Sequence, residues 1–289
     1  MRARVQSGGA RKGAYQAGVC LALAEAGQDD YDIECGVSVG ALGAYYLAQG
    51  HTAQDWVDVW KSIDTSNVYK SWFFGWVSGV FKGSLYDSRP LLKLIQSHAG
   101  PLKRGLRVGI VELESGRYSA VHCNKVDRRT VEESVWASCA QPLIMTPLKS
   151  GGVTYTDGGV RNKTPLASAI DAGADTIDVI MTTPLKGMSR WKPGWWERKF
   201  ALFGRTLREI DIAINEAHSN DLTICKLVNA AVLAGAPEGE GKRFITLRVF
   251  APEEPLDVVD FEFDPAVSEK LIEQGYADAR EHLARAMSC

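Results

Sequence analysis

The sequence has few cysteines, and it lacks both long apolar runs and an excess of positive charge. Its six cysteines are scattered, with no C-x-x-C pair and no neighbouring histidine cluster. This pattern suggests neither a zinc site nor a disulfide framework, and it favours a reducing, cytoplasmic compartment. No stretch of 18 apolar residues is present, so a membrane-spanning helix is not expected. The net charge of -2 provides no field to hold DNA or RNA, so nucleic acid is not an expected partner.

Repeats, low-complexity tracts and long Pro/Gly/Ser linkers are also missing, which favours one domain over residues 1–289. The chain is 45% hydrophobic and 24% charged, as is typical of a globular protein with a sizeable core. Near the start of the chain, a short apolar strand is followed twice by a tight turn and a helix. Two such units in succession predict an α/β fold with a parallel sheet.

The spacing of apolar residues predicts the remaining elements. Strands are expected at Arg2–Gln6, Tyr31–Gly36, Leu106–Leu113, Tyr118–His122, Thr176–Thr182 and Phe244–Phe250. Helices are expected at Gly13–Ala26, Val39–Ala48, Pro90–His98, Val131–Cys139, Pro165–Ala172 and Glu269–Ala286, with a longer helix at about Leu202–Leu233.

A G-x-S-x-G motif, Gly36-Val37-Ser38-Val39-Gly40, stands between a predicted strand and a predicted helix. The glycines Gly36 and Gly40 permit a turn strained enough to project the serine hydroxyl above the sheet. Patterns of this kind also occur in ordinary turns, but the placement between strand and helix favours Ser38 as a nucleophile.

A nucleophilic serine needs a proton acceptor, and the sequence offers two kinds. The five histidines lie at helix ends, at a strand end or within helices, so each is interpreted as a solvated or packed residue. Asp157 instead ends an extended segment, in the turn Asp157-Gly158-Gly159. Because Asp-Gly is also a common hairpin turn, this position alone leaves a purely structural interpretation open.

A third segment, Gly8-Gly9-Ala10-Arg11-Lys12-Gly13, opens the first helix with consecutive backbone N–H groups. Such a loop can stabilise negative charge that develops on a substrate oxygen. A nucleotide phosphate is not favoured as its ligand. Lys12 is followed by Gly13 rather than by Ser or Thr, and Ala10 stands where the dinucleotide pattern needs its second glycine.

Together, the three segments resemble the patatin-like phospholipases. The similarity continues around them, in Gly13-Ala14-Tyr15-Gln16-Ala17-Gly18-Val19, Ala137-Ser138-Cys139-Ala140-Gln141-Pro142, Asn162-Lys163-Thr164-Pro165-Leu166 and Gly173-Ala174-Asp175. It runs nearly from end to end of the chain.

The resemblance implies a three-layer α/β/α fold with a central, mostly parallel sheet flanked by helices. It also implies hydrolysis of lipid acyl esters by a Ser–Asp dyad, without a cofactor, a metal or a catalytic histidine. Carried over by position, Ser38 is the nucleophile, Asp157 is the base, and the N–H groups near Gly8, Gly9 and Ala10 form the oxyanion hole. Ala10 departs from the family, whose loop usually has a third glycine. If its φ is positive, the alanine costs about 1 kcal/mol of strain.

Two aromatic-rich segments point to lipid. Residues 72–81 have no polar face, which suits a self-packed loop or the wall of a substrate cavity equally. Residues 186–208 combine Trp191, Trp195 and Trp196 with many lysines and arginines against the single acid Glu197. Tryptophan with basic residues is typical of an interfacial anchor, so peripheral membrane contact is expected, the alternative being a solvated basic loop.

The sequence therefore predicts a serine acyl hydrolase that acts on phospholipids, lysophospholipids or related acyl esters. Two alternatives remain open. One is a non-enzymatic protein that binds a lipid surface on the same fold, which Ala10 makes plausible. The other is a His-dependent esterase of the α/β-hydrolase kind. The substrate's chain length and headgroup and the oligomeric state are not predicted.

Overall fold

Short apolar strands build the sheet at the centre of the molecule. The computed structural model describes residues 1–71, 83–185, 201–256 and 263–287. In this part of the chain the strands are β1 (Arg2–Gln6), β2 (Ile33–Gly36), β3 (Lys70–Ser71), β4 (Tyr86–Asp87), β5 (Gly105–Glu112), β6 (Tyr118–His122), β7 (Leu148–Ser150), β8 (Val153–Asp157), β9 (Thr176–Ile180) and β10 (Thr246–Phe250). The helices are α1 (Gly13–Glu25), α2 (Val39–Ala48), α3 (Ala53–Ser62), α4 (Thr65–Val68), α5 (Arg89–Ser97), α6 (Arg128–Ser138), α7 (Leu166–Asp171), α8 (Ala201–Ala234) and α9 (Pro265–Met287).

The sheet is mixed, with parallel pairing through its centre. The strand order is β10-β9-β1-β2-β5-β8-β7, and β6 also pairs with β5. The four pairs from β10 to β5 are parallel, whereas β5 pairs with β6 and β8, and β8 with β7, in antiparallel fashion. The predicted α/β fold with a mostly parallel central sheet is confirmed.

Helices cover both faces of this sheet. On one face, Ala3, Val5 and Ile177 pack with Leu166 of α7 and Leu222 of α8. On the other face, the sheet contributes to a core with the helices α1, α2, α3 and α9. Successive residues of a strand point to opposite faces, so β1 supplies apolar side chains to one layer while Arg4 and Gln6 lie on the other.

A shared edge of β5 brings two distant segments together. Strand β6 occupies one edge, and β2 and β8 follow each other along the opposite edge. Strand β2 ends at Gly36, opposite Val108, while β8 runs antiparallel and ends at Asp157, opposite Ile110. The ends of β2 and β8 therefore meet on either side of Gly109. This topology places the turn after β2 next to the turn after β8.

The predicted elements are observed with end shifts of a few residues. Helices α3 and α4 and strands β3, β4 and β7 were not predicted. The signal for α3 is present in the sequence, because Thr52 and Asp55 form a reciprocal capping box and Trp56 and Trp60 are buried one turn apart. Among the helices described here, none is both long and apolar enough to cross a bilayer.

Candidate active site

Ser38 occupies a strained turn between β2 and α2. Its backbone angles are φ 56° and ψ -129°, which a residue with a side chain rarely adopts. The glycines around it are required by close contacts rather than by their own angles. A Cβ on Gly36 would lie 2.1 Å from the carbonyl oxygen of Gly40, and a Cβ on Gly40 would lie 2.2 Å from that of Gln6. The strain predicted for this turn is therefore located on Ser38 itself.

The turn also places the Ser38 side chain at the amino end of α2. Helix N-termini carry unpaired N–H groups and a partial positive charge, which favours negative charge on a nearby oxygen. The position lies beyond the carboxyl ends of parallel strands, where open α/β sheets commonly hold their ligands. The local electrostatics thus suit an alkoxide or an anionic intermediate at Ser38.

Asp157 ends β8 and is buried, with 6% of its surface exposed. Its Oδ1 accepts a hydrogen bond of 2.7 Å from the Gly159 N–H, and Ser38 lines the same cavity as Asp157. Burial raises the pKa of Asp157 from 3.8 to about 6, while the Gly159 hydrogen bond, the nearby Ser38 hydroxyl and the charge of Lys163 oppose the rise. A carboxylate with this pKa is a better base near neutral pH than an exposed one.

The turn after Asp157 has no space for larger residues. A Cβ on Gly158 would lie 2.4 Å from the carbonyl oxygen of Gly109, and one on Gly159 would lie 3.0 Å from Oδ1 of Asp157. Gly158 therefore allows β8 to approach β5 closely, and Gly159 leaves room for the Asp157 carboxylate. The Asp-Gly-Gly segment is not a hairpin turn here, because it continues into a short 3-10 turn at Gly158–Val160.

The Gly loop lies beside Ser38 and Asp157 but does not offer all three expected donors. The Gly8 N–H is donated to the carbonyl oxygen of Lys163 at 3.0 Å, so this amide is not available to an oxyanion. The prediction for Gly8 is corrected accordingly, since Gly8 anchors the loop. Within the described residues, the N–H groups of Gly9 and Ala10 meet no acceptor. These two amides remain the candidate oxyanion donors.

Close packing explains the other glycines of the loop. A Cβ on Gly9 would lie 2.2 Å from the hydroxyl oxygen of Thr182, and a Cβ on Gly13 would lie 2.2 Å from Val39. Ala10 has a φ of 48°, so the condition for strain at this position is met. The cost is about 1 kcal/mol for an alanine in the left-handed region. The loop therefore adopts a glycine-like conformation in spite of its alanine.

Two cavities share Ser38, Ala10 and Gln141 as lining residues. The first, called the polar cavity here, also contains Asp157, with Lys12 and Lys163. The second, called the apolar cavity, is lined by aliphatic and aromatic side chains that include Leu42, Trp60, Leu91, Ile95, Ile144 and Met145. A long apolar group and a polar group can thus be held in two cavities that both reach Ser38.

The described histidines do not pair with Asp157. His51 stacks on Tyr46, His122 lies beside Arg107, and His282 packs against Phe250. His98 lines the apolar cavity, and its Nδ1 lies 3.1 Å from the carbonyl oxygen of Leu94. The polar cavity is lined by no histidine of the described chain, and the side chain of His218 lies outside the description. The geometry favours Asp157 as the partner of Ser38.

Two further predictions from the sequence concern residues outside the described part of the chain. One concerns the aromatic segment 72–81, and the other concerns the proposed membrane contacts Trp191, Trp195 and Trp196. They stay predictions from composition.

Sequence reasoning assigned no role to Ser138, Cys139 or Lys163, although all three contact the site. Ser138 accepts a hydrogen bond from the Ser38 N–H, Cys139 donates one to the Ser38 carbonyl oxygen, and Lys163 lines the polar cavity. The available signal was their position in stretches that resemble the patatin-like phospholipases. Their type and spacing alone indicate no chemistry.

Comparisons with known proteins show the family and the fold of the chain. A sequence model described as Patatin-like phospholipase matches residues 5–170. The crystal structure of VipD from Legionella pneumophila is similar to this structure with a TM-score of 0.56 and 12% sequence identity, covering 98% of this chain and 67% of that one. At this identity the likeness shows the fold alone. Comparison with curated proteins finds no match.

Proposed function

The chain belongs to the patatin-like phospholipase family, and from that premise we propose that it is a serine acyl hydrolase. Membership supports lipid acyl hydrolysis in general. The finer proposal is a Ser38–Asp157 dyad that cleaves fatty-acyl esters of phospholipids, lysophospholipids or related lipids. The observation that carries it is that Ser38 and the buried Asp157 line one cavity with the free amides of Gly9 and Ala10, with the Ser38 hydroxyl near enough to lower the pKa of that carboxyl group.

In the acylation step, Ser38 Oγ attacks the ester carbonyl carbon while Asp157 accepts the hydroxyl proton. The N–H groups of Gly9 and Ala10 stabilise the oxyanion, and one such donor is worth about 3 kcal/mol. Asp157 then returns the proton to the leaving alcohol as the tetrahedral intermediate collapses. The products of this step are the free alcohol and an acyl ester of Ser38.

In the deacylation step, Asp157 takes a proton from a water molecule, which attacks the acyl-enzyme carbonyl. The same amides stabilise the second oxyanion, and the proton returns to Ser38 Oγ as the fatty acid leaves. These steps require no metal and no organic cofactor. Burial of the carboxylate supports the proposal, because it keeps the base partly dry and raises its pKa toward neutrality.

The two cavities give the substrate an orientation. The apolar cavity suits a fatty-acyl chain, since its lining is almost wholly aliphatic and aromatic. The polar cavity suits the alcohol portion, where Lys12 and Lys163 provide positive charge. This arrangement supports an amphipathic acyl ester as substrate.

Treatment with a fluorophosphonate followed by intact-mass analysis tests the nucleophile. We expect one adduct per chain, mapped to the peptide containing Ser38, and no adduct on Ser38→Ala. Ser134→Ala provides a matched control, because this buried serine on α6 bonds the Thr130 carbonyl and not the site; it should label like the parent.

Other outcomes would select the alternatives. An unlabelled parent that hydrolyses no ester would favour a lipid-binding protein without catalysis. A folded His→Ala variant that labels slowly and loses hydrolysis would favour a histidine-dependent esterase.

Peripheral membrane contact is part of the proposal and rests on the composition of residues 186–208. The double variant Trp195→Ala/Trp196→Ala should pellet less with vesicles that contain anionic lipid, because indole rings anchor at headgroup depth. Lys192→Glu/Lys199→Glu should lose binding to anionic vesicles and keep any binding to neutral ones. Equal co-sedimentation of the parent and the tryptophan variant would remove the anchor.

A further inference from the structure

Ser138, the last residue of α6, bonds the turn after β2 and strand β5 at the point where β2 and β8 meet. Its Oγ accepts a hydrogen bond of 2.9 Å from the Ser38 N–H and donates one of 2.6 Å to the carbonyl oxygen of Gly109. Ser138 is completely buried. One hydroxyl thus satisfies a donor on the strained turn and an acceptor on β5.

The next two residues extend this contact to the neighbouring turn. The Cys139 thiol donates to the Ser38 carbonyl oxygen at 3.3 Å. The Ala140 carbonyl oxygen accepts from the Asp157 N–H at 3.2 Å and from the Thr156 hydroxyl at 2.8 Å. Residues 138–140 therefore bind the backbone at both Ser38 and Asp157.

These bonds have a specific role because of the strain at Ser38. The residue stands before the first turn of α2, and its N–H is bonded by neither a strand nor a helix. A buried amide without a partner is unfavourable, and a strained φ of 56° persists only when surrounding contacts hold it. The Ser138 hydroxyl supplies such a contact directly at the strained residue.

We propose that Ser138 is a positioning residue that holds Ser38 at the distance and angle from Asp157 needed for proton transfer. The inference rests on the proposed function, and it adds a residue to which neither the sequence nor the comparisons assign a role. Ser138 is absent from the described lining of both cavities, so it acts through Ser38 and not on substrate. Cys139 and Ala140 support the same junction from the adjoining backbone.

The test compares Ser138→Ala with Ser134→Ala. Both serines are buried hydroxyls of α6, but Ser134 bonds the Thr130 carbonyl at 2.7 Å within its own helix. We expect Ser138→Ala to lower kcat for a soluble acyl ester and the fluorophosphonate labelling rate by about 10- to 100-fold, as displacement of a reacting group does. KM should stay within about twofold, because the cavity walls are unchanged. Ser134→Ala should keep the parent kcat, even if its melting temperature falls as far as that of Ser138→Ala.

Ser138→Cys keeps the shape of the side chain with a weaker donor and acceptor, and it serves if Ser138→Ala does not fold. A folded variant of either kind with the parent kcat and labelling rate would overturn the inference. Such a result with an active, Ser38-labelled parent leaves the proposed function intact. An inactive, unlabelled parent would instead reject the proposed function itself.

Discussion

Asp157→Asn is expected to lower ester hydrolysis by about 1,000-fold or more and, in the same variant, to raise the stability of the fold at pH 8. The loss of activity follows because an amide does not accept the Ser38 proton. Loss of a catalytic group in a serine hydrolase has an effect of this order. The gain in stability follows from the burial of the carboxylate, which is unfavourable when it is charged.

The pH dependence of the gain is set by the pKa of Asp157. Its pKa is 3.8 in an unfolded chain and about 6 in the folded protein, so the folded state binds the proton more tightly. As pH rises from 3.8 to 6, the contribution of Asp157 to the free energy of unfolding therefore falls, and above this window that contribution stays lower by about 3 kcal/mol. Asparagine carries no charge at any pH. The free energy of unfolding of the variant should consequently exceed that of the parent at pH 8 and equal it near pH 3.5.

Urea unfolding at several pH values measures this difference. Asp127→Asn is a suitable control, because Asp127 is an exposed cap of α6 whose carboxylate bonds Thr130 and whose pKa is lowered. Its replacement should bring no gain in stability at pH 8. If the stability of Asp157→Asn and that of the parent changed in parallel from pH 3.5 to 8, this would contradict a buried Asp157 with a raised pKa.

The fold was accessible from the sequence because local patterns specify most of its elements. Apolar runs bounded by glycine turns predict β1, β2 and their helices, and repeated strand-to-helix units predict parallel pairing. The three motif segments, which the sequence analysis identified and which carry the resemblance, line one cavity in the structure. The missed strand β7 is only three residues long and partly exposed, so its composition carries little signal. The single-domain prediction stays a prediction.

The details of the site were less accessible because they depend on contacts between segments far apart in the chain. The occupation of the Gly8 amide requires the carbonyl of Lys163, which lies 155 residues later. The meeting of Ser38 and Asp157 requires β2 and β8 to share one edge of β5. No local periodicity encodes that pairing. From the sequence, Ser138 similarly looks like an ordinary serine at the end of a helix, because its partners Ser38 and Gly109 are known only from the structure.

Gly40→Ala is expected to destabilise the protein by about 3 kcal/mol or more, whereas Gly43→Ala should change stability by no more than about 1 kcal/mol. Both glycines lie on α2 and face β1. A Cβ on Gly40 would lie 2.2 Å from the Gln6 carbonyl oxygen and 2.7 Å from that of Ser7, which are backbone atoms of a central strand and the following loop. A Cβ on Gly43 would instead lie 2.6 Å from the end of the Gln6 side chain.

The contrast arises because the two obstacles differ in their freedom to move. The amide atoms of Gln6 have no hydrogen-bond partner among the described residues, so this side chain can rotate away, and alanine improves helix propensity by up to about 1 kcal/mol. The backbone of β1 is held by β2 and β9 on both sides. To relieve a clash at Gly40, α2 would thus have to move outward, together with Ser38 at its start.

Urea midpoints at equal m-values measure the loss of stability in the two variants. Equal stability of both variants would show that α2 does not lie against the end of β1. In that case, close packing would not explain the second glycine of the G-x-S-x-G motif, Gly40.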